Sequence, residues 1–249
     1  GMPPFTGGLT GYFSYEFITY AEPSLHLSAE DDEGISDLEL MLFDKVIAFD
    51  NVKQKIIIMV TVKTDELEKN YEDAVQTIKK IAKLIIRGDM KKEHPGYLKT
   101  EFKPLFQKDE YCRMVEKAKE YIYQGDIFQV VLSNRLEAEY EGSLLNTYRI
   151  MRTTNPSPYM FYFSSDDMEV AGASPETLVK LENGVLHTFP LAGTRPRGKD
   201  RQEDLALEKD LLDDEKECAE HNMLVDLGRN DLGKVSKFGS VQVETLHTI

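Results

Sequence analysis

An α+β fold is predicted for this chain by three features of its sequence. Apolar, β-branched runs at 38–49 and 56–62 read as strands. Apolar residues recur at helical spacing between 67 and 85. Strand-like runs then cluster between 159 and 189, and helix-like, highly charged sequence follows from 202. Strands and helices are therefore grouped in blocks and do not alternate regularly, which argues for α+β over a parallel α/β sheet.

In order along the chain, the runs 38–49 and 56–62 flank Asp50-Asn51-Val52-Lys53 and predict a hairpin. Asp65 is placed to cap the next helix. Leu67, Tyr71, Ala74, Val75, Ile78, Ile81, Ala82 and Ile85 form its buried stripe, and Gly88 stops it. Periodicity is lost over 89–105, where Pro95, Gly96 and Pro104 break it, so this stretch is the expected linker and a boundary is expected near 105. The first domain is then 1–105, a hairpin plus helix, and the second is 106–249. Glu110 to Tyr123 reads as an amphipathic helix closed by Gly125, and the apolar 126–135 stretch (DIFQVVLSNR) as a strand with Gln129 inside it. A polar Gln129 on such a strand needs a hydrogen-bond partner, from a neighbouring backbone or from a ligand. Ser143 caps a short helix to Thr154, which Asn155-Pro156 ends. Tyr159–Phe163, Glu169–Gly172, Thr177–Leu181 and Val185–Phe189 are expected to run as a meander with Asn183-Gly184 as its last turn. Helices return from Gln202 to Gly228, and Val241–Leu246 is read as a final strand.

Composition limits the function. The chain has 249 residues and a net charge of −14, with no Lys/Arg-rich block, which disfavours nucleic acid and anionic membrane as partners. No apolar run approaches the ~20 residues of a membrane-spanning helix. The two cysteines, Cys112 and Cys218, lack ligand or redox spacing and fit a reduced, cytoplasmic setting.

Against this acidic background the stretch from Pro190 to Gly233 stands out. PLAGTRPRG (190–198) is a loop carrying Arg195 and Arg197, with Lys199 and Arg201 beyond it, and Gly193-Thr194 offers two backbone amides and a hydroxyl as an anion cradle. A solvated basic loop explains the same charges equally well. Downstream, Asp213, Asp214, Glu217, Glu220 and Asp226 lie along one helical segment. Oxygen-rich clusters suit Mg²⁺, although solvated acidic helices are commoner. His221 has no second histidine at zinc-ligand spacing. In GASPE (172–176), Pro175 fixes the backbone before Glu176, whose carboxyl acts as a general acid if burial raises its pKa, although a turn with a solvated glutamate explains the pentapeptide better.

Six motifs, in order, resemble those of the chorismate-utilising enzymes, and within them the anthranilate synthase component I group. They are FTGGLTGYFSYE (5–16), DIFQVVLSNR (126–135), NPSPYMFYF (155–163), GASPE, PLAGTRPRG and EHNMLVDLGRNDLG (220–233). The resemblance implies layered sheets with outer helices, here incomplete: 1–105 is the remainder of a regulatory portion and 106–249 the first half of a catalytic domain. It implies conversion of chorismate and ammonia to anthranilate and pyruvate, in tryptophan biosynthesis, with Mg²⁺ and a glutamine amidotransferase subunit. By motif, Glu220 matches a metal carboxylate, Gly193 and Thr194 match chorismate contacts, and Glu176 matches a catalytic acid. Pro158, Tyr159 and Met160 match contacts of the feedback inhibitor L-tryptophan. Water-adding relatives carry a lysine base where this chain has Gln129, and aminodeoxychorismate synthases carry a lysine where it has Ala192. The resemblance therefore favours anthranilate over the folate-pathway product. The family's later segments, with a catalytic histidine and a second metal glutamate, find no match here, and His247 falls too early to be that histidine. A central fragment, inactive alone and pairing with itself through open sheet edges, is the expectation. A regulatory or interaction module without turnover is the non-enzymatic alternative.

Overall fold

The computed structural model describes residues 1–27 and 31–249. They form two compact units, Gly1–Lys92 and Glu93–Ile249. The division falls inside the stretch expected as a linker, but earlier than 105. Backbone pairing explains the difference, because 97–98 and 103–104 form ladders with strands further along the second unit.

In the first unit, β1 (Gly8–Phe13) is followed by a 3₁₀ turn, the short α1 (Ile18–Ala21), β2 (Leu38–Phe43), β3 (Lys45–Asp50), β4 (Lys55–Val60) and α2 (Leu67–Arg87). The apolar run 38–49 is two strands, not the single strand expected from its hydropathy. At Asp44 the chain changes partner: β2 pairs antiparallel with β1, whereas β3 pairs antiparallel with β4. The Asp44 carbonyl accepts from Thr61 N at 2.8 Å, so this residue also anchors the far end of β4. The hairpin itself forms where the sequence placed it. Glu66, in the left-handed region at φ 49°, precedes α2 in place of the expected Asp65 cap, and no side-chain oxygen caps the helix.

Period-two alternation gives β3–β4 two faces. Met59 lies on the face carrying Val46, Ala48 and Ile57, and it is buried together with Ala74 of α2. The opposite face, with Ile47, Phe49 and Ile56, is exposed. On β1–β2 the cross-strand pairs Leu9↔Leu42, Gly11↔Leu40 and Phe13↔Leu38 make another apolar face, and Leu9, Phe13 and Leu42 are 60%, 58% and 73% exposed.

The second unit contains β5 (Tyr97–Leu98), β6 (Lys103–Pro104), α3 (Lys108–Gln124), β7 (Leu136–Glu137), β8 (Tyr140–Glu141), α4 (Leu145–Thr154), β9 (Tyr159–Ser164), β10 (Glu169–Ser174), β11 (Lys180–Glu182), β12 (Val185–His187), α5 (Arg201–Asp213) and α6 (Glu215–Gly233). The α3 helix closes at Gly125 as the sequence predicts. Its Tyr111 hydroxyl donates to the Leu132 carbonyl at 2.8 Å. Asn134 clasps Phe106 through both its backbone N–H and its C=O, at 3.0 and 2.9 Å.

Between these anchors, 126–135 forms no strand, contrary to the expectation. A strand exists only with a ladder partner, and here side chains hold the segment at its C-terminal end while no described backbone pairs with its middle. Val241–Leu246 likewise stays irregular. The expected meander is two separate hairpins, β9–β10 and β11–β12. In the second, Asn183 and Gly184 take φ of 52° and 80°, the double left-handed turn that matches strand twist.

All described sheets are two-stranded, so every described strand has an open edge. The chain exposes 21085 Å², whereas two separately closed domains of the same total mass would expose roughly 13,000 Å². Met59 and Ala74 are the only buried hydrophobic residues among those described. No described helix is long and apolar enough to cross a membrane.

Candidate functional site

Helix α6 organises the candidate residues of the second unit. Asp214 begins it by accepting from Lys216 N and Glu217 N at 3.0 and 3.2 Å, and Asp200 begins α5 by accepting from Gln202 N and Glu203 N at 2.9 Å each. Each aspartate satisfies N–H groups that the first helical turn leaves free. Glu217 and Glu220, three residues apart, then lie on neighbouring positions of one helix face.

The PLAGTRPRG loop meets this helix at its first turn. Gly193 sits at φ 56°, and a Cβ there would lie 2.9 Å from both Glu217 Oε2 and Leu211 Cδ1. The left-handed backbone favours glycine at this point, and a Cβ would also displace the ends of the Glu217 and Leu211 side chains. Further along, Thr188 stands where a Cβ on Gly228 would touch it at 2.9 Å, so α6 also lies close to the chain just beyond β12.

The two arginines of this loop are engaged by carboxylates of α5 and of its junction with α6. Arg195 donates Nε to Asp210 at 2.7 Å and Nη2 to Asp214 at 2.8 Å. Arg197 donates Nε and Nη2 to the two oxygens of Asp204 at 2.8 and 2.5 Å, and Gly198 N adds a third bond to that carboxylate at 2.8 Å. These partners raise the pKa of both arginines, through Asp210 and then Asp214 for Arg195 and through Asp204 for Arg197. Asp204 is held low first by Arg197, and Asp214 first by the Glu217 N–H and then by Arg195. Sequence reading took the arginines as candidate anion ligands and missed their partners, because i-to-j pairing across a loop has no sequence period.

Gln129 finds the partner its chemistry demanded. Its Nε2 donates to Glu220 Oε1 at 3.2 Å, joining the 126–135 segment to α6 across 91 residues. Glu176 is exposed, and its Oε1 accepts from Leu191 N at 3.1 Å, two residues before Gly193. Tyr159 opens β9, and its hydroxyl accepts from Thr177 Oγ1 at 2.7 Å, next to Glu176. Met160 pairs with Ala173 of GASPE, and Pro158 immediately precedes the strand. Gln129, Glu176, Gly193, Thr194 and Glu220 are thus linked by contacts running through α6 and the 190–194 loop, with Tyr159 attached through Thr177.

Two further features were not legible in the sequence. Glu169 accepts from Ser143 Oγ at 2.9 Å, Leu144 N at 2.6 Å and Tyr162 OH at 2.5 Å, which pins the start of α4 to the β9–β10 hairpin. These bonds, the Tyr162 one foremost, hold its carboxyl below the ordinary range. Ser143 Oγ also accepts from Leu145 N at 3.1 Å, but the N-cap of α4 is Leu144, one residue later than expected, and no side chain caps it. His221 and His247 have ring centroids 5.4 Å apart, and His247 shares a 3.0 Å hydrogen bond with Asn222 Oδ1. The buried His221 Nε2 has no hydrogen-bond partner.

As a metal ligand Glu220 fits in chemistry. It is half-buried, with one oxygen held by Gln129 and the second hydrogen-bonded to no group among the described residues. Among the described residues no group of three or more His, Cys, Asp or Glu side chains is arranged to hold an ion. A cation that keeps much of its water shell and takes one or two protein carboxylates is compatible with that supply.

Mixed helices and strands with this α6-centred arrangement fit one class of protein. The model of the chorismate binding enzyme family matches residues 2–249, and the chain belongs to that family. Among its relatives, anthranilate synthase component 1 of Acetivibrio thermocellus is 47% identical over 98% of this chain and 51% of that protein. The Aquifex aeolicus protein of the same name is 44% identical over 100% of this chain and 51% of that protein. The crystal structure of anthranilate synthase component I from Streptococcus pneumoniae TIGR4 matches 97% of this chain and 53% of that chain, with a TM-score of 0.80 and 37% identity. The α+β fold is therefore that of anthranilate synthase component I, and the chain spans about half the length of the curated relatives it matches.

Proposed function

We propose that this chain carries part of the chorismate site of an anthranilate synthase large subunit, which converts chorismate and ammonia to anthranilate and pyruvate. The observation carrying the proposal is the convergence on α6: Gly193 packs on Glu217 while Gln129 holds Glu220. In this reading the N–H groups of Gly193 and Thr194 receive a substrate carboxylate, and Glu220 presents its second oxygen to Mg²⁺. Bound there, Mg²⁺ would screen the negative charge of the substrate carboxylate. Gln129 is not a base, which suits a reaction whose nucleophile is ammonia. Glu176 is the candidate proton donor to the departing hydroxyl, and its exposed, singly bonded carboxyl leaves an oxygen available for that task. Ala192, half-buried beside the cradle, offers no amine to attack the ring and supports anthranilate as product.

The same reading gives the chain a glutamine amidotransferase partner as ammonia source, L-tryptophan as inhibitor at Pro158, Tyr159 and Met160, and the cytoplasm as its setting. Open strand edges support self-association, and light scattering showing monomer alone would remove that element.

The test is calorimetric titration of chorismate into the chain with Mg²⁺, then incubation with ammonium. Saturable binding that weakens in Glu220→Gln supports the reading, as does anthranilate fluorescence from a polypeptide that also supplies the relatives' remaining half. Failure of chorismate to bind at millimolar concentration refutes it, and an aminated chorismate without pyruvate release moves the assignment to aminodeoxychorismate synthase.

A further inference from the structure

We infer that Arg195 is a positioning residue: it braces the Gly193-Thr194 cradle against the junction of α5 and α6 and is not itself an anion ligand. The inference rests on the proposed chorismate reading for its functional consequence, and on geometry alone for the brace.

Arg195 is the least exposed of the loop's paired cations, with its side chain 24% exposed against 88% for Arg197. Its guanidinium reaches carboxylates on two helices, Asp210 near the end of α5 and Asp214 between α5 and α6, and its Nη1 returns to the Thr194 carbonyl at 3.1 Å. A planar fork with five donors can do this; an ammonium, a single point charge, cannot hold the same spread of acceptors. The bond to Thr194 ties the fork to the cradle itself. Asp214 has two duties, since its Oδ1 caps the first turn of α6 while its Oδ2 takes Arg195 Nη2. One carboxylate thereby sets both the start of the helix that carries Glu217 and Glu220 and the seat of the arginine beside Gly193. With Gly193 already against Glu217, the reach from the cradle amides to the Glu220 carboxylate is fixed by this one joint. Misplacement of such a pair by about an ångström costs binding and rate out of proportion to the ion pairs themselves. The arrangement also accounts for cations in an otherwise acidic chain without assigning them a ligand.

Brace and ligand predict opposite signs. If Arg195 touched the anion directly, removing a competing carboxylate would free it, so Asp210→Asn would leave chorismate affinity unchanged or improve it, and Arg195→Lys would keep most of it. If Arg195 is a brace, Asp210→Asn, Arg195→Lys and Arg195→Ala all weaken chorismate binding. The double variant Arg195→Ala/Asp210→Asn is then no worse than Arg195→Ala, because both remove the same joint. Asp210 is the carboxylate to change because Asp214→Asn would also disturb the helix cap.

Ligand-free hydrogen exchange reads the brace separately. Amides of Gly193 and Thr194 should exchange roughly three- to tenfold faster in each single variant, with no further increase in the double. Unchanged exchange, additive effects, or preserved affinity in Asp210→Asn overturns the inference. If wild-type chain shows no chorismate binding, the functional reading falls while exchange still decides the brace.

Discussion

Two segments of the second unit meet at α6 and are held in opposite ways. The 190–199 loop is fastened by side chains near it in sequence: Asp204, Asp210 and Asp214 take its arginines, and Glu203 Oε2 takes Lys199 N at 2.7 Å. The 126–135 segment is as apolar as a core strand, yet Phe128 and Val131 are 87% and 86% exposed, and its fastenings are Tyr111, Asn134, the Gln129–Glu220 bond and one backbone bond from Leu105 N to the Arg135 carbonyl at its end. Charged loop residues find short-range partners within a few turns of helix. A β-competent run cannot satisfy itself, because its backbone needs a second strand and its side chains need a facing layer.

Substitutions can break or sharpen that contrast. The largest effect is expected at Gly193→Ala, where a left-handed backbone and the contacts with Glu217 and Leu211 both oppose a Cβ. Denaturant unfolding should show a loss of about 1–3 kcal/mol, and an unchanged midpoint would mean the loop is not fastened as described. Asp200→Ala removes the α5 cap and should cost about 1 kcal/mol by the same measurement; a neutral result would show that α5 does not anchor the loop.

Acid should loosen the polar side alone. Asp204, Asp214 and Glu169 have folded-state pKa values below their ordinary ones. Their stabilisation is complete above the ordinary carboxylate range near pH 4 and is lost as pH falls through the lowered values. Glu169→Gln should flatten that dependence for α4 and the β9–β10 hairpin, read from helix signal between pH 5 and 2 as rough bounds; an equally steep curve would remove Glu169 from the account. The smallest effect is expected at Val131→Thr, within about 0.5 kcal/mol because the side chain is already in water. A larger loss, or slow amide exchange across 127–131, would show that the segment has a partner after all.

The same contrast explains what could be read from sequence. Periodicity located α2 and α3, the Asn-Gly pair located the 183–184 turn, and helical sequence was legible from Gln202, without the break at Asp214 or the extension to Gly233. The split at Asp44, the unformed strands at 126–135 and 241–246, and the separation of the two hairpins depend on which backbone lies alongside, and no local pattern carries that information. At the site, Gln129 announced itself as a polar residue in apolar surroundings and Gly193 as a glycine in a cationic loop. The Arg195 joint and the Glu169 clasp were invisible, because side-chain contacts between separate elements have neither period nor motif. His221 was set aside as a lone histidine, and its neighbour proved to be His247, 26 residues away by number.

The uncovered leucine face of β1–β2 also governs how the protein behaves in a test tube. At neutral pH the net charge of −14 makes copies repel one another before Leu9, Phe13 and Leu42 can meet. That barrier acts over a screening length of about 10 Å at 0.1 M salt and shortens as salt is added, and it vanishes near the isoelectric point of about 4.9. Concentrated samples should therefore cloud with added salt or mild acid before any helix melts, and clear again on return to dilute buffer at neutral pH.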